Sequence, residues 1–398
     1  MQVLVTSPIP SHPQNHGNRA RVYSLCRILQ QRGYRVHFVY GGFEGLSEEQ
    51  ELAMRACWDH VYIVPPKPGS RTQSRRNHHL IDDWYVPEVS DITNRILKIW
   101  DIKYCLANYV WFSRWLEDVP PGIPKYLDTH DMFANRQKSL RKAGINGNWY
   151  STTPTEEAKA FDRADVVLAI QRSEAELFKK VTKQTVETLG HYLPENFLPD
   201  RKRINGQKFK VGYLASSNPI NQHSLHHFSK ALSARPDLQK NFSFHLAGAI
   251  CDSSVGRDSP FEKLGFVEST TTFYQDMDII LNPNVGGTGL KIKSVEALGF
   301  GKPLVATADA MVGIETPEPL HQCADIWALA EALGKLADHP EEVERLGAAG
   351  RRIFTFYNSQ QAAALDRLFP RADSPSLPEP VATNAMKAKN SAAEKHKA

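Results

Sequence analysis

The sequence predicts an α/β chain of two domains, each built on a mainly parallel sheet. Three observations carry that expectation. Short β-branched runs alternate with helical patterns along nearly the whole chain, as βα units do. A polar, basic, proline-interrupted stretch at 194–209, PENFLPDRKRINGQKF, breaks the alternation, which then restarts. The 398 residues exceed one ordinary core and suit two domains of about 150–200 residues.

The elements follow in order. Strands are expected at Gln2–Thr6, Arg35–Tyr40, His60–Val64, Tyr104–Asn108, Lys125–Asp128 and Asp165–Ile170, with helices near Arg19–Gln31, Ser47–Cys57, Glu88–Trp100, Thr155–Arg163 and Ser173–Thr182. After the linker come strand Lys210–Leu214, a helix from about Gln222, strands Ser243–Ala247 and Asp278–Leu281, a helix carrying Lys291, and strand Leu304–Ala306. A helical pattern from Pro340 to Leu368 follows. Residues 371–398, rich in Ala, Lys, Ser and Pro without periodicity, read as a disordered tail. The halves echo each other: ADVVLAI (164–170) and MDIILNP (277–283) each place an aspartate just before a buried strand. Strand-entry chemistry produces such an echo, and so do two facing Rossmann-like domains.

Composition narrows the function classes. Hydrophobic content of 41% is ordinary for a globular protein. No apolar run approaches the roughly 20 residues that span a bilayer. MQVLVTSPIP lacks a basic leader and a long apolar core, so it reads as a first strand rather than a signal peptide. Five scattered cysteines without CxxC spacing point to free thiols, a cytoplasmic setting and no zinc site. A net charge of +4 is too mild to imply nucleic acid. Lys67, Arg71, Arg75, Arg76, His78 and His79, followed by Asp83, Trp84 and Tyr85, form a basic loop with aromatics. A solvated loop is the default reading; an acceptor surface or peripheral contact with the inner face of the cytoplasmic membrane is the functional one. Trp111, Phe112 and Trp115 at helical spacing read as core.

The most informative stretch is DIILNPNVGGTGLKIKSVEALGFGKPLVAT (278–307). A buried strand runs into a loop with Gly286, Gly287 and Gly289, then a helix bearing Lys291, Lys293 and Glu296. Glycines let a ligand approach the backbone, and a helix start favours phosphate. A carboxylate two turns down the helix can hold sugar or ribose hydroxyls. The bland alternative is a solvated helix face with a Lys293–Glu296 pair, but the glycine loop between two buried strands favours a nucleotide-sugar site.

On these residues the chain resembles the GT-B glycosyltransferases, specifically the retaining, family 4-like enzymes (glycosyl transferases group 1). The likeness covers nearly all of 1–370 and is strongest from FVESTTTFYQDMDIILNP to GTGLKIKSVEALGFGKPLVAT. It implies an acceptor-side domain over 1–200 and a donor-side domain over 201–345, with a helix over 346–370 crossing back to the first. Glu296 falls at the second acid of the family's Glu-x7-Glu motif, the ribose contact. The first acid, a donor-sugar contact, is replaced by Thr288. Gly287 belongs to the same loop, and Gly289 and Leu290 match positions whose amides approach the diphosphate. Lys291 and Lys293 are the cations that neutralise the leaving group. In KVGYLASSNPINQHSL (210–225) the family's Arg/Lys clamp is absent, and Ser216, Asn218 and Asn221 stand there instead.

In SPIPSHPQNHGNRARVYSL, Gly17 and Asn18 match the family's first glycine loop, with His16 beside them. In YLDTHDMFANR, His130 matches the active-site histidine, with Asp131 and Arg136 on the acceptor side. In QRSEAELF, Glu174 tops a helix near the cleft. The resemblance implies front-face transfer with no obligatory protein nucleophile, a UDP- or GDP-linked donor as co-substrate, no cofactor, and a glycan or lipid-linked saccharide as acceptor. His130 positions the donor sugar. Asp276-Met277-Asp278 has the DxD form of another glycosyltransferase fold, but Asp278 opens a buried strand, so no metal is expected. Two rivals remain. One is an inverting enzyme with His16 (or His12) as base. The other is a catalytically silent module, favoured by Thr288 and the missing clamp.

Overall fold

A computed structural model describes residues 1–65, 71–147, 149–201, 206–267 and 269–372. The expected disordered tail, from 373 onward, and Lys67 lie outside the described residues. The first lobe contains β1 (Gln2–Ser7), α1 (Gly17–Gln31), β2 (Arg35–Tyr40), α2 (Glu48–Cys57), β3 (His60–Ile63), α3 (Glu88–Ile99), β4 (Ile102–Asn108), β5 (Lys125–Asp128), α4 (Arg136–Lys142), α5 (Pro154–Phe161), β6 (Val166–Ala169), α6 (Arg172–Phe178) and β7 (Thr185–Thr188). Its sheet is parallel, in the order β3-β2-β1-β4-β5-β6-β7.

The second lobe contains β8 (Phe209–Leu214), α7 (Pro219–Ser233), α8 (Leu238–Asn241), β9 (Phe242–Ala247), α9 (Ser254–Asp258), β10 (Glu262–Gly265), α10 (Thr270–Asp276), β11 (Ile279–Asn282), α11 (Ile292–Gly299), β12 (Leu304–Ala306) and α12 (Ile326–Asp338). Its parallel sheet runs β10-β9-β8-β11-β12. The architecture is two Rossmann-like domains. Strand order reverses between β1 and β4 in one sheet and between β8 and β11 in the other, and open α/β sheets bind ligands outside the carboxyl ends of strands at such points.

Local chemistry explains the elements. Ser47 opens α2 with a reciprocal capping box to Gln50, and Thr153 caps α5 ahead of Pro154. The echoed aspartates are one device used twice. The Asp165 side chain accepts the Lys125 N–H at 2.8 Å at the start of β5, and Asp278 accepts the Lys210 N–H at 2.8 Å beside β8. Each ties a strand entrance to its neighbour. Asp278 is also paired with Arg201, and Asp276 with Lys210, so both acids of the DxD form are engaged in ion pairs. Among the described residues no group of three or more His, Cys, Asp or Glu is placed to hold a metal, and no helix is long and apolar enough to cross a membrane.

Some elements were not foreseen. β7 and β10 are four-residue strands at sheet edges, too short and polar to show a period. α12 is a full helix capped by Asp325, whose side chain accepts the Ala328 N–H at 2.8 Å.

α13 (Glu341–Leu368) runs from one lobe to the other. Val343 and Leu346 join the second lobe's core, whereas Ala364, Leu365, Leu368 and Phe369 join the first lobe's. Tyr34 and Tyr126 donate to the Pro370 and Leu368 carbonyls at 2.6 and 3.1 Å. The strand-to-linker passage lies alongside: Gly190 N–H donates to Gln361 Oε1 at 2.6 Å, and the Tyr357 hydroxyl donates to the His191 carbonyl at 3.2 Å.

Candidate active site

The expected residues of both lobes gather at the two points where strand order reverses. In the first lobe β4 and β5 are each followed by a residue with a left-handed backbone, Tyr109 (φ 73°) directly after β4 and His130 (φ 61°) two residues after β5. That conformation is costly for bulky side chains, and such outliers cluster at functional sites. Their rings stack 4.1 Å apart, nearly parallel at 8°. His130 Nε2 is 2.8 Å from Asn108 Oδ1 and 3.5 Å from Asp128 Oδ2. Asp128 in turn holds Arg21 through two hydrogen bonds of 2.8 Å. Burial would raise the Asp128 carboxyl, but the guanidinium and His130 outweigh it and hold it below its ordinary range. Burial lowers His130 to about 4 despite Asp128. The ring is therefore a neutral imidazole near pH 7, fixed in orientation by Asn108 and Tyr109.

Beyond His130 the chain turns. Asp131 accepts from its neighbour Met132 N–H at 2.9 Å and from Arg136 Nε at 3.1 Å. The buried Glu157 accepts the Phe133 N–H at 2.7 Å and the Ala134 N–H at 3.2 Å, which fixes the floor of this turn. At the start of α1, Gly17 lies against Ile292 of α11: a β-carbon on Gly17 would stand 3.5 Å from that side chain. The amino ends of α1 and α11 thus converge, and both dipoles favour negative charge there. Asn18 accepts the Arg19 N–H at 2.9 Å and hydrogen-bonds Tyr109. His16 is the residue before α1; burial, then Arg19, lowers its imidazole from the ordinary value.

In the second lobe the glycine loop is left-handed at Gly286, Gly287 and Gly289 (φ 69°, 80° and 75°). The positive φ at Gly287 calls for glycine, and a β-carbon there would also press the end of the Ile220 side chain at 2.7 Å. Lys293 enters a cage made by Asn221 Oδ1 (2.7 Å), Asn284 Oδ1 (3.1 Å) and the Tyr213 hydroxyl (3.5 Å), with its ammonium 4.9 Å from the Tyr213 ring centre. Burial and then the charge of Lys291 lower Lys293 to about 7. One turn on, Glu296 receives the Tyr274 hydroxyl at 3.4 Å, and burial raises it to about 7. This half-buried pair holds a cation and an acid that both titrate near neutrality.

Other expected residues are engaged by the protein itself. Lys291 is the residue before α11 and donates back to the Thr288 carbonyl at 3.0 Å, so it braces its own loop. Asn218 caps α7: its side chain accepts the Asn221 N–H at 2.8 Å. Thr288 Oγ1 donates across the lobes to the Met132 carbonyl at 3.3 Å. The Gly289 N–H is not free, because it donates to Glu174 Oε1 of the first lobe at 2.7 Å. The buried Leu290 packs in an apolar cluster with Ile170 and Ile314 that joins the lobes. The loop expected to receive a diphosphate therefore lies against protein.

Sequence reasoning missed Arg21, Asp128 and Asn108 as the support of His130, and Asn284, Tyr213 and Tyr274 as the support of Lys293 and Glu296. A signal existed for Asp128 and Asn284: each is a polar side chain at the end of a buried strand. The basic loop also needs correction. His79 is buried, stacked 4.7 Å from Tyr150, and Trp84 is buried as well, so neither belongs to a surface. A cavity of about 770 Å³ lies between Glu315–Pro319 and the side of α13 near Arg352 and Phe356, apart from all these residues.

Residues 208–339 match the family model described as Glycosyl transferases group 1. No curated protein matches the sequence significantly. Sucrose-phosphate synthase from Thermosynechococcus elongatus is a similar solved structure, with a TM-score of 0.63 at 14% identity over 94% of this chain and 100% of that one. HepE from Anabaena, solved with UDP and glucose, has a TM-score of 0.59 at 14% identity over 92% and 100%. A TarM variant from S. aureus, solved with fondaparinux, α-GlcNAc-glycerol and UDP, has a TM-score of 0.66 at 9% identity over 92% and 99%. At such identities these likenesses bear on the fold. The second lobe therefore matches the group 1 glycosyltransferase family model over 208–339, and the whole chain has the two-lobed GT-B fold of these structures.

Proposed function

We propose that the protein transfers a sugar from a UDP- or GDP-linked donor to a hydroxyl of a glycan or lipid-linked glycan, with retention and without a metal. One observation carries this reading: the strand, glycine loop and helix over 279–299 seat caged Lys293 and Glu296 across the lobe junction from a conformationally strained, neutral His130. Two similar structures were solved with UDP, which supports a uridine donor. Bond cleavage at the anomeric carbon builds charge on the leaving diphosphate. Lys293 and the converging ends of α1 and α11 answer that charge, and fixed donors of this kind typically supply several kcal/mol. Glu296 accepts from ribose hydroxyls. Neutral His130 hydrogen-bonds the donor sugar without carrying charge of its own. The exposed Arg71, Arg75 and Arg76 remain for an anionic acceptor or membrane surface, with the exposed Trp149 against Phe43, the ring under Arg71.

A silent nucleotide-binding module is the second reading, favoured by Thr288 in place of an acid and by the occupied Gly289 amide. A panel of UDP- and GDP-sugars screened by thermal shift in EDTA, followed by donor hydrolysis and NMR of any product, separates the possibilities. Turnover in EDTA with the donor's anomeric configuration kept supports the proposal. Binding without any turnover supports the silent module, and an inverted product returns attention to His16.

A further inference from the structure

Glu174 belongs to α6 of the first lobe, yet its closest partner is a backbone amide of the second. Oε1 accepts the Gly289 N–H at 2.7 Å, the Gln171 side chain also hydrogen-bonds the carboxylate, and Oε2 makes no further hydrogen bond although the residue is only 2% exposed. A buried carboxylate with an unused oxygen is costly, and a purely structural acid would satisfy both oxygens. Its surroundings are crowded with charge. Asp131 from the turn after β5 and Glu157 from α5 face it with like charge, while Lys291 before α11 offsets them. Burial and Asp131 push Glu174 up to about 7. The Gly286 N–H is held similarly by Asp309 Oδ2 at 2.6 Å. The loop thus has carboxylates where an anionic ligand would sit. There is no spare room: a β-carbon on Gly289 would stand 3.3 Å from both the His130 carbonyl oxygen and Asp131 Oδ1.

We infer that Glu174 is the resting occupant of the donor's phosphate position. Its carboxylate holds the Gly289 amide while the site is empty and the lobes are shut, and a nucleoside diphosphate gains that amide only by displacing it. This rests on the donor-site reading above. Glu174 then lowers the affinity for nucleotide and keeps the empty junction closed to water.

The test is calorimetric titration of UDP and GDP into the full chain, wild type, Glu174→Gln and Glu174→Ala, with the fold checked by circular dichroism. A second readout is amide hydrogen exchange of the 284–292 segment without nucleotide. The inference expects the glutamine variant to bind about tenfold tighter at pH 8, one unit above the carboxyl's value of about 7, because a neutral group competes less strongly for a charge-assisted hydrogen bond. It also expects the segment to exchange faster in both variants. Binding by a variant where wild type shows none supports it equally. Equal or weaker binding in both variants, with unchanged exchange, overturns it and leaves the donor site standing. Failure of wild type and both variants to bind either nucleotide overturns both.

Discussion

Lys293 offers the sharpest test of the site, because its charge state is set by its surroundings. Burial and neighbouring Lys291 hold it at about 7 in the donor-free protein. A diphosphate against the ammonium would stabilise the charged form, so donor binding should take up a proton whenever Lys293 starts neutral. The sign follows: affinity is greatest at and below pH 7 and falls as pH rises. Half of the lysine is charged at pH 7 and roughly 1% at pH 9, so affinity should drop roughly 50-fold between them, about 2.3 kcal/mol. Glu174 and Glu296 ionise over the same range, so their contributions are removed by working in a Glu174→Gln/Glu296→Gln background. A nucleotide sugar is the right probe, since its bridging diphosphate does not titrate in this range. Lys293→Met should bind roughly 10- to 100-fold more weakly at pH 7, from the loss of charge-assisted hydrogen bonds, and should lose the slope. Calorimetry from pH 7 to 9 reads both effects. A flat profile in that double variant, or an unchanged slope after adding Lys293→Met to it, would refute the placement of the diphosphate beside this lysine.

Three further outcomes follow from the geometry. Gly289→Ala places a methyl group against the His130 carbonyl at a left-handed position, strained by about 1–2 kcal/mol. It should wedge the lobes apart, seen as a larger radius of gyration in X-ray scattering and weaker donor binding. Asp278→Ala removes the acceptor for the Lys210 amide and Arg201. Stability should fall by about 2–3 kcal/mol, read as a melting point lowered by roughly 5–10 °C, with nucleotide affinity at low temperature retained. His130→Ala should lower donor hydrolysis about 100-fold with little change in nucleotide affinity. The wild-type rate should show no inflection from this imidazole between pH 5.5 and 8, because it stays neutral above about 4.

Much of this molecule was legible in its sequence for identifiable reasons. The strands of both lobes announce themselves as β-branched runs, and the order β8, β11, β12 places the glycine loop at a switch point. That Lys293 and Glu296 share one helix face was legible from periodicity alone. What escaped was long-range. Nothing local marks Arg21 as the partner of Asp128, 107 residues away. Nor does any spacing say that Glu174 would reach the Gly289 amide, 115 residues on. The local contacts of Lys291 and Asn218 escaped for the opposite reason. Local backbone geometry claims both, one for bracing a loop and one for capping a helix, and such contacts compete with any ligand role.

The Gln361 and Tyr357 contacts with Gly190 and His191 bind the two covalent passages between the halves into a single spine. A molecule bound along one margin opens like a book. The Thr288–Met132 and Gly289–Glu174 contacts are non-covalent, so any opening of the halves parts them before it parts that line. Severing the chain after Phe356 would leave two leaves joined by one thread, free to swing but no longer able to find register on closing.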